Sequence, residues 1–324
     1  MIEINKKNIR VWSMLGMRRI IGPALKDIIS ENENVIFSTA DLGRYFAYED
    51  LLRTYPEKVI DVGIAEQNLI GMSAAMQNEG FNVFSATYAT FITSRVLDQI
   101  RVNIGLMNLG VKLIGAAGGL SDGNFSATHM ALEDLANTRA IPNMTVIAPA
   151  DGMELVKALT ALASYEGPAY LRLTGRANIP VIYNGDYPFK IGQSITLREG
   201  TDVAIISNGT ILGSVLKVAD LLEEKNISCR VINMHTIKPL DTEILREIKE
   251  YKLVVTVEEH VREGGLGSAV SEFYAEENVR PMQKIIAVDG KYPDSNEYER
   301  LLEKCGLTEE CITKSILKKY ETII

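Results

Sequence analysis

The stretch Asp61-Val-Gly-Ile-Ala-Glu-Gln-Asn68 joins a short apolar segment to a helical pattern and places one carboxylate at the junction. The preceding residues 58–62 predict a buried strand, and apolar residues recur at helical spacing over 69–76. Glu66 is therefore expected near the N-terminus of a helix. An acid at that position can simply complement the positive end of the helix dipole, so its place alone assigns it no chemical role.

An aromatic run, Phe84-Ser-Ala-Thr-Tyr-Ala-Thr-Phe91, follows a strand predicted at residues 80–84. Tyr88 and Phe91 are three residues apart, so on a helix they would share one face. An isolated pair of this kind is more typical of a protein core than of a ligand site. A carboxylate beside such a stacking surface, however, also suits a flat heterocycle that contains nitrogen.

Strand and helix patterns alternate on both sides of this junction, which is typical of a parallel sheet covered by helices. The helical pattern over residues 10–30 is expected to be disturbed at Gly22-Pro23. With 324 residues, two domains are more typical than one, and the pattern weakens near residue 190. We therefore predict two α/β domains, residues 1–190 and 191–324, each with a mostly parallel sheet flanked by helices.

Three polar or aromatic residues, Asp41, Glu66 and Tyr88, each follow the end of a predicted strand. In open α/β sheets, ligands bind at the carboxyl ends of strands, so these side chains are expected to line one pocket. Asp41 could equally be a helix N-cap. The turn Gly264-Gly-Leu-Gly267 could hold an anion on backbone N–H groups, although a purely structural turn is the simpler interpretation. His235 and His260, both at strand ends, are also expected to be structural.

The composition excludes several classes of protein. A net charge of −8, from 34 basic and 42 acidic residues, provides no electrostatic surface for nucleic acid. The N-terminus lacks the pattern of a signal peptide, and no apolar run reaches the length of a membrane span. Three cysteines are too few and too scattered for a disulfide framework or a metal cage. A cytoplasmic protein with no metal ligands of its own is therefore expected.

The motif order resembles the pyrimidine-binding half of thiamine-diphosphate enzymes. The order is Gly-Ile-Ala-Glu-Gln-Asn, the aromatic run 84–91, Asp98-Gln-Ile-Arg101 and Ala127-Thr-His129. It is most similar to the C-terminal subunit of two-chain transketolases, and residues 257–270 resemble the C-terminal domain of that family. The resemblance covers nearly the whole chain and implies a pyrimidine-binding domain followed by a transketolase C-terminal-like domain.

The resemblance also implies roles for individual residues. Glu66 would hydrogen-bond the pyrimidine ring nitrogen of thiamine diphosphate, while the cofactor itself carries the difficult chemistry. Tyr88 and Phe91 would stack on the pyrimidine, with Asp41 and Ile64 also contacting the cofactor. His129 would contact the ketose hydroxyl, and its imidazole suits proton transfer near neutrality. Glu66 and His129 are thus the predicted catalytic residues.

Substrate recognition is less clearly implied. Arg176 and Arg18 match the cations that bind a sugar phosphate in the family, and a guanidinium suits a phosphate. Nearby, Arg172 on a predicted strand could be a plain surface charge. Several positions depart from the family pattern: Ala117 replaces a histidine, Phe125 an aspartate, Tyr45 a phosphate-contacting serine and Ser94 an aromatic residue. The substrate could therefore be an unusual ketose, a nucleotide-linked sugar or a sugar without a terminal phosphate.

The family signature for the diphosphate and its metal, Gly-Asp-Gly followed by Asn, has no good match in the sequence. The resemblance therefore implies a separate N-terminal subunit that carries Mg²⁺ or Ca²⁺, a shared active site and an α2β2 heterotetramer. The expected reaction is transfer of a two-carbon ketol group from a ketose or ketose phosphate to an aldose. Three alternatives remain: a subunit like deoxyxylulose-phosphate synthase, one like the β subunit of 2-oxoacid dehydrogenases, or a non-catalytic regulatory subunit.

Overall fold

A computed structural model describes residues 3–323, which form twelve α-helices, twelve strands and several short 3₁₀ or π-helical turns. The helices are α1 (Lys6–Leu15), α2 (Ile21–Glu31), α3 (Glu49–Thr54), α4 (Glu66–Asn78), α5 (Leu97–Gln99), α6 (Asp134–Arg139), α7 (Gly152–Ala163), α8 (Leu212–Glu223), α9 (Thr242–Glu247), α10 (Leu266–Ala275), α11 (Tyr298–Lys304) and α12 (Glu309–Tyr320). The strands are β1 (Val35–Thr39), β2 (Val59–Asp61), β3 (Asn82–Tyr88), β4 (Lys112–Ala116), β5 (Thr145–Ile147), β6 (Ala169–Arg172), β7 (Ile195–Arg198), β8 (Val203–Ser207), β9 (Cys229–Asn233), β10 (Thr236–Lys238), β11 (Leu253–Val261) and β12 (Met282–Val288).

The strands form two sheets within residues 3–323. The first has the order β10-β5-β6-β4-β3-β1-β2 and is parallel except for β10, which pairs with β5 in the antiparallel sense. The second has the order β12-β11-β8-β9-β7, with only β7 antiparallel. The predicted fold class, two mostly parallel sheets flanked by helices, is confirmed.

Residues from the first half of the chain contribute to the core of the second sheet. Leu120, Met130 and Leu132 pack in one buried cluster with residues of β8, β9 and β11. They flank the loop that carries His129 on both sides. The position of that loop therefore depends on the packing of the second sheet.

The predicted disturbance at Gly22-Pro23 is wrong, because the helical region breaks at Gly16 instead. Gly16 has a φ of +75° and ends α1, and a 3₁₀ turn leads from it into α2. A Cβ atom at Gly16 would collide with the backbone carbonyl of Arg176, so the close approach requires glycine. Pro23 lies in the first turn of α2, where its missing N–H leaves no helical hydrogen bond unmade.

The glycine-rich turn 264–267 holds a carboxylate of its own chain. Glu258 is buried on β11, and its two carboxylate oxygens accept hydrogen bonds from the N–H groups of Leu266 (2.7 Å) and Gly267 (2.8 Å). Burial raises the pKa of Glu258 to about 7, although these two hydrogen bonds oppose the shift. The turn is therefore structural, and the N-terminus of α10 is already satisfied.

The segment after β3 winds as a π-helix over Phe91–Arg95 and again over Ile100–Leu106, with α5 near its middle. Such wide turns are rare and often occur at functional sites.

No helix among residues 3–323 is long and apolar enough to cross a membrane.

Candidate active site

Glu66 is the first residue of α4, directly after the loop that leaves β2. The loop is fixed by Asp61, whose Oδ1 accepts hydrogen bonds from the N–H groups of Asp41 (2.8 Å) and Gly63 (2.9 Å). Gly63 has a φ of +69°, a conformation that favours glycine. The side chain of Glu66 is 5 % exposed, so the carboxylate lies inside the molecule rather than in solvent.

An arginine that the sequence analysis did not single out is the partner of this carboxylate. Nη1 of Arg95 lies 3.0 Å from Oε2 of Glu66, and the guanidinium carbon lies 4.1 Å from the centroid of the Phe91 ring. The guanidinium therefore stacks on an aromatic face while it donates to a buried carboxylate.

Tyr88, Phe91 and His129 form a compact cluster of rings. The ring centroids of Tyr88 and Phe91 are 5.6 Å apart, and those of Tyr88 and Phe91 lie 5.1 and 5.2 Å from that of His129. The expectation that Tyr88 and Phe91 share a helical face is wrong, because Tyr88 ends β3 and Phe91 begins the π-helical turn. The turn between them nevertheless brings the two rings together.

His129 lies at the end of a short 3₁₀ turn, Ala127–His129. Its Nδ1 is 3.0 Å from the hydroxyl of Thr128, and its outer side meets the ring of Phe125 at a centroid distance of 5.1 Å. Phe125 is 54 % exposed. The residue that replaces the family's aspartate thus presents an apolar ring beside the histidine.

Arg18 and Tyr45 lie beside the same ring cluster and meet at a buried acid. The hydroxyl of Tyr45 donates to Oδ2 of Asp122 (2.7 Å), and Nη1 of Arg18 lies 3.9 Å from the same oxygen. Burial and the charge of Asp122 together raise the pKa of Tyr45. The ring of Tyr45 is 5.1 Å from that of Tyr88, so this second cluster adjoins the first.

Asp41 and Ile64 lie on the exposed loops above this site. Asp41 is exposed with a φ of +57°, and the following 3₁₀ turn begins at Gly43, so Asp41 is not a helix N-cap. Ile64 is 78 % exposed, which is unusual for its residue type. Both side chains thus lie at the surface rather than in the core.

Arg176 forms its ion pair with the second half of the chain. Its Nη1 forms an ion pair with Oε2 of Glu297 at 3.1 Å, and it lines a cavity of about 370 Å³ between the two halves of the chain together with Lys217. Arg172, by contrast, is 1 % exposed and ion-paired with Asp134, so the idea of a plain surface charge is wrong. His235 and His260 are both buried.

The arrangement suits a flat, nitrogen-containing ring. One face of Phe91 and one oxygen of Glu66 already hold a planar group with N–H donors, the guanidinium of Arg95. The aminopyrimidine of thiamine diphosphate needs the same two partners, so the residues present fit it. Across residues 3–323, no group of three or more His, Cys, Asp or Glu side chains gathers to hold a metal ion.

Two family models match the chain in succession. The transketolase pyrimidine-binding domain matches residues 13–180, and the transketolase C-terminal domain matches residues 192–312. The chain belongs to the transketolase family.

Several relatives match this chain over nearly their whole length. A Methanocaldococcus jannaschii protein described as a transketolase C-terminal section is 34 % identical, and the match covers 94 % of this chain and 96 % of the relative. One of the subunits of the apulose-4-phosphate transketolase of Phocaeicola vulgatus is 33 % identical over 94 % of this chain and 98 % of the relative. A solved structure described as a split gene transketolase, inactive β4 tetramer, is 35 % identical with a TM-score of 0.86, covering 96 % of this chain and 99 % of that one.

Other matches are longer than this chain. The chain spans 46 % of three further transketolase structures, and these structures, at 23 % identity or less, show the shared fold alone. It likewise spans 46 or 47 % of the matched 1-deoxy-D-xylulose-5-phosphate synthases. The chain is therefore a transketolase subunit of the C-terminal, split type, and its class of enzyme is that of a transferase.

Proposed function

We propose that this transketolase subunit holds the pyrimidine end of thiamine diphosphate and, with a separate N-terminal subunit, transfers a two-carbon ketol group from a ketose to an aldose. The observation that carries the proposal is the buried carboxylate of Glu66. It lies beside the stacking face of Phe91, and Phe91 belongs to the same ring cluster as His129. A purely structural acid at a helix N-terminus would not require an aromatic face next to it.

The chain's own residues have distinct tasks in this proposal. When bound, thiamine diphosphate supplies the nucleophilic carbon that cleaves and re-forms the ketose carbon–carbon bond. Glu66 hydrogen-bonds the pyrimidine ring nitrogen and holds a proton there. Phe91 and Tyr88 stack on the ring and exclude water, while Asp41 and Ile64 border it. The imidazole of His129 exchanges a proton with the ketose hydroxyl.

The substrate is a sugar or sugar phosphate that enters along the ring cluster. Arg176 binds a phosphate end most readily, because its ion pair with Glu297 is partly exposed and is therefore easily exchanged. Arg18 is less free to do so, since Asp122 and Tyr45 already engage it. Phe125 contributes an apolar wall beside His129, in place of a polar contact to the sugar.

The active site is completed by the second subunit, which supplies the diphosphate ligands and Mg²⁺ or Ca²⁺. An α2β2 heterotetramer in the cytoplasm is the proposed assembly. Two exposed apolar side chains at the site, Ile64 and Phe125, support a partner that covers them. The relative solved as an inactive β4 tetramer supports the idea that this subunit alone lacks activity.

The test is an assay of ketol transfer by this chain co-produced with an N-terminal subunit that carries the Gly-Asp-Gly signature. Activity should require thiamine diphosphate and a divalent metal. Glu66→Gln should reduce turnover at least about a hundredfold without preventing assembly, whereas Glu310→Gln, an exposed acid on α12, should leave it unchanged. Near-normal turnover in the Glu66→Gln enzyme would overturn the proposed role.

A further inference from the structure

Arg95 occupies the space that the proposed function assigns to the cofactor ring. We propose that it is a built-in stand-in for the aminopyrimidine, which fills the site in the free subunit and moves out when thiamine diphosphate binds in the assembled enzyme. The inference rests on the proposed function, because it gives the space between Glu66 and Phe91 a ligand. It adds a residue that controls how readily that ligand enters.

The geometry of Arg95 matches both requirements of the ring. Its guanidinium carbon lies 4.1 Å from the Phe91 centroid, and its Nη1 donates to Oε2 of Glu66 at 3.0 Å. A guanidinium is planar and carries N–H donors around its edge, as a protonated aminopyrimidine does. The same aromatic face and the same carboxylate oxygen would therefore bind either group.

The two groups would bind alternately, because both need Oε2 of Glu66 and the same face of Phe91. The side chain of Glu66 is only 5 % exposed, which leaves little space beside it for a second group. In the free subunit, Arg95 supplies the cation for the carboxylate of Glu66, and because the guanidinium is half-exposed this pair is of modest strength. Arg95 thus stabilises the site until a ligand that makes the same contacts takes over.

Arg95 is also able to leave without a change of fold. Its side chain is 47 % exposed, and it ends the π-helical turn Phe91–Arg95. Arg95 comes four residues after Phe91, a spacing at which the side chains of a helical turn lie on the same side. Its neighbour Ser94 is small and exposed, which leaves the outward direction open to the long arginine side chain.

Competition of this kind lowers the apparent affinity for the cofactor. The measured dissociation constant equals the intrinsic one divided by the fraction of molecules in which Arg95 has left. A half-exposed ion pair with a stacking contact is modest in strength, so Arg95→Gln should lower the dissociation constant of thiamine diphosphate about three- to tenfold.

The experiment is calorimetric titration of the assembled two-subunit enzyme with thiamine diphosphate in the presence of Mg²⁺. Arg246→Gln is the matched control, because Arg246 also lies over an aromatic ring, Phe273 at 5.4 Å, and pairs with Glu277 at 3.6 Å, far from the site. We expect tighter binding for Arg95→Gln and wild-type binding for the control. Equal or weaker binding of the cofactor by Arg95→Gln would overturn the inference.

A second variant guards against failure of the first to assemble. Arg95→Lys keeps a cation near Glu66 but removes the flat donor edge, so it should also bind the cofactor more tightly than the wild type, and unchanged or weaker binding would contradict the stand-in. The two proposals fail differently. If the wild-type complex binds no thiamine diphosphate, the proposed function is refuted. If the wild-type complex binds the cofactor as tightly as both Arg95 variants do, only the proposal that Arg95 is a stand-in is refuted.

Discussion

Arg172 and Asp134 form an ion pair of 2.7 Å between Nε and Oδ2, with both side chains at most 1 % exposed. Nη2 of Arg172 also donates to the carbonyl oxygens of Ala131 (3.1 Å) and Glu259 (2.8 Å). Ala131 lies two residues after His129, and Glu259 belongs to β11 of the second sheet. A single guanidinium thus joins the loop that carries His129, the first sheet and the second sheet.

Replacing Arg172 by Met should destabilise the protein by about 3–5 kcal/mol, because Asp134 would be left as an unpaired buried charge. Urea unfolding of the free subunit measures the change. The double variant Arg172→Met, Asp134→Leu should recover part of the loss, since it removes both charges. Additive losses in the two positions would contradict this account.

His129→Asn should lower the turnover of the assembled enzyme about 10²–10⁴-fold, because asparagine cannot exchange a proton as imidazole does. Binding of thiamine diphosphate, measured by calorimetry, should change little, since His129 meets Tyr88 and Phe91 only through ring edges. Loss of turnover together with loss of cofactor binding would instead indicate a structural role.

His260 should make the stability of the subunit depend on pH. Burial lowers its pKa to about 4, compared with an unfolded value of about 6.5. Its contribution is therefore complete above pH 6.5 and is lost as the pH falls towards 4. Between pH 7 and pH 5, the wild type should lose about 2 kcal/mol more unfolding free energy than His260→Gln. Equal losses in urea titrations at the two pH values would rule this out.

Gly265→Ala should destabilise the protein by about 1–3 kcal/mol, because the added Cβ would collide with the carboxylate of Glu258. The matched control is Gly71→Ala within α4, where the new Cβ meets no atom within 4 Å. That change should stabilise the free subunit through helix propensity, with a gain of about 0.5–1 kcal/mol. A thermal unfolding comparison that shows similar effects for both variants would refute the role of the turn.

Hydrophobic periodicity predicted most of the architecture. The strands β1 to β4 and the helices α7, α8 and α10 follow from local patterns that the packed structure keeps. The short strand β10 could not be foreseen, because its three residues become a strand only by pairing with distant β5. The domain limit near residue 190 remains a prediction.

At the site, the sequence indicated residues whose rings the structure brings together, namely Tyr88, Phe91 and His129. Their chemical roles, like that of Glu66, remain predictions. The sequence did not indicate Arg95 or Asp122 as site residues, because each joins the site through a side-chain contact with a distant segment of the chain. A local signal was the place of Arg95 four residues after Phe91, a spacing at which side chains on a helix are neighbours.

The strand β10 has a consequence for how such chains can be recombined. It leaves the second half of the sequence to close the first sheet beside β5, and Lys238 donates to the carbonyl oxygens of Arg139 and Ile141. In a chimera, the second half of this chain would be replaced by that of a distant homologue. The new half would have to supply a strand that pairs with β5, or β5 would become an exposed edge strand prone to aggregation. The two halves are therefore expected to be inherited as one unit.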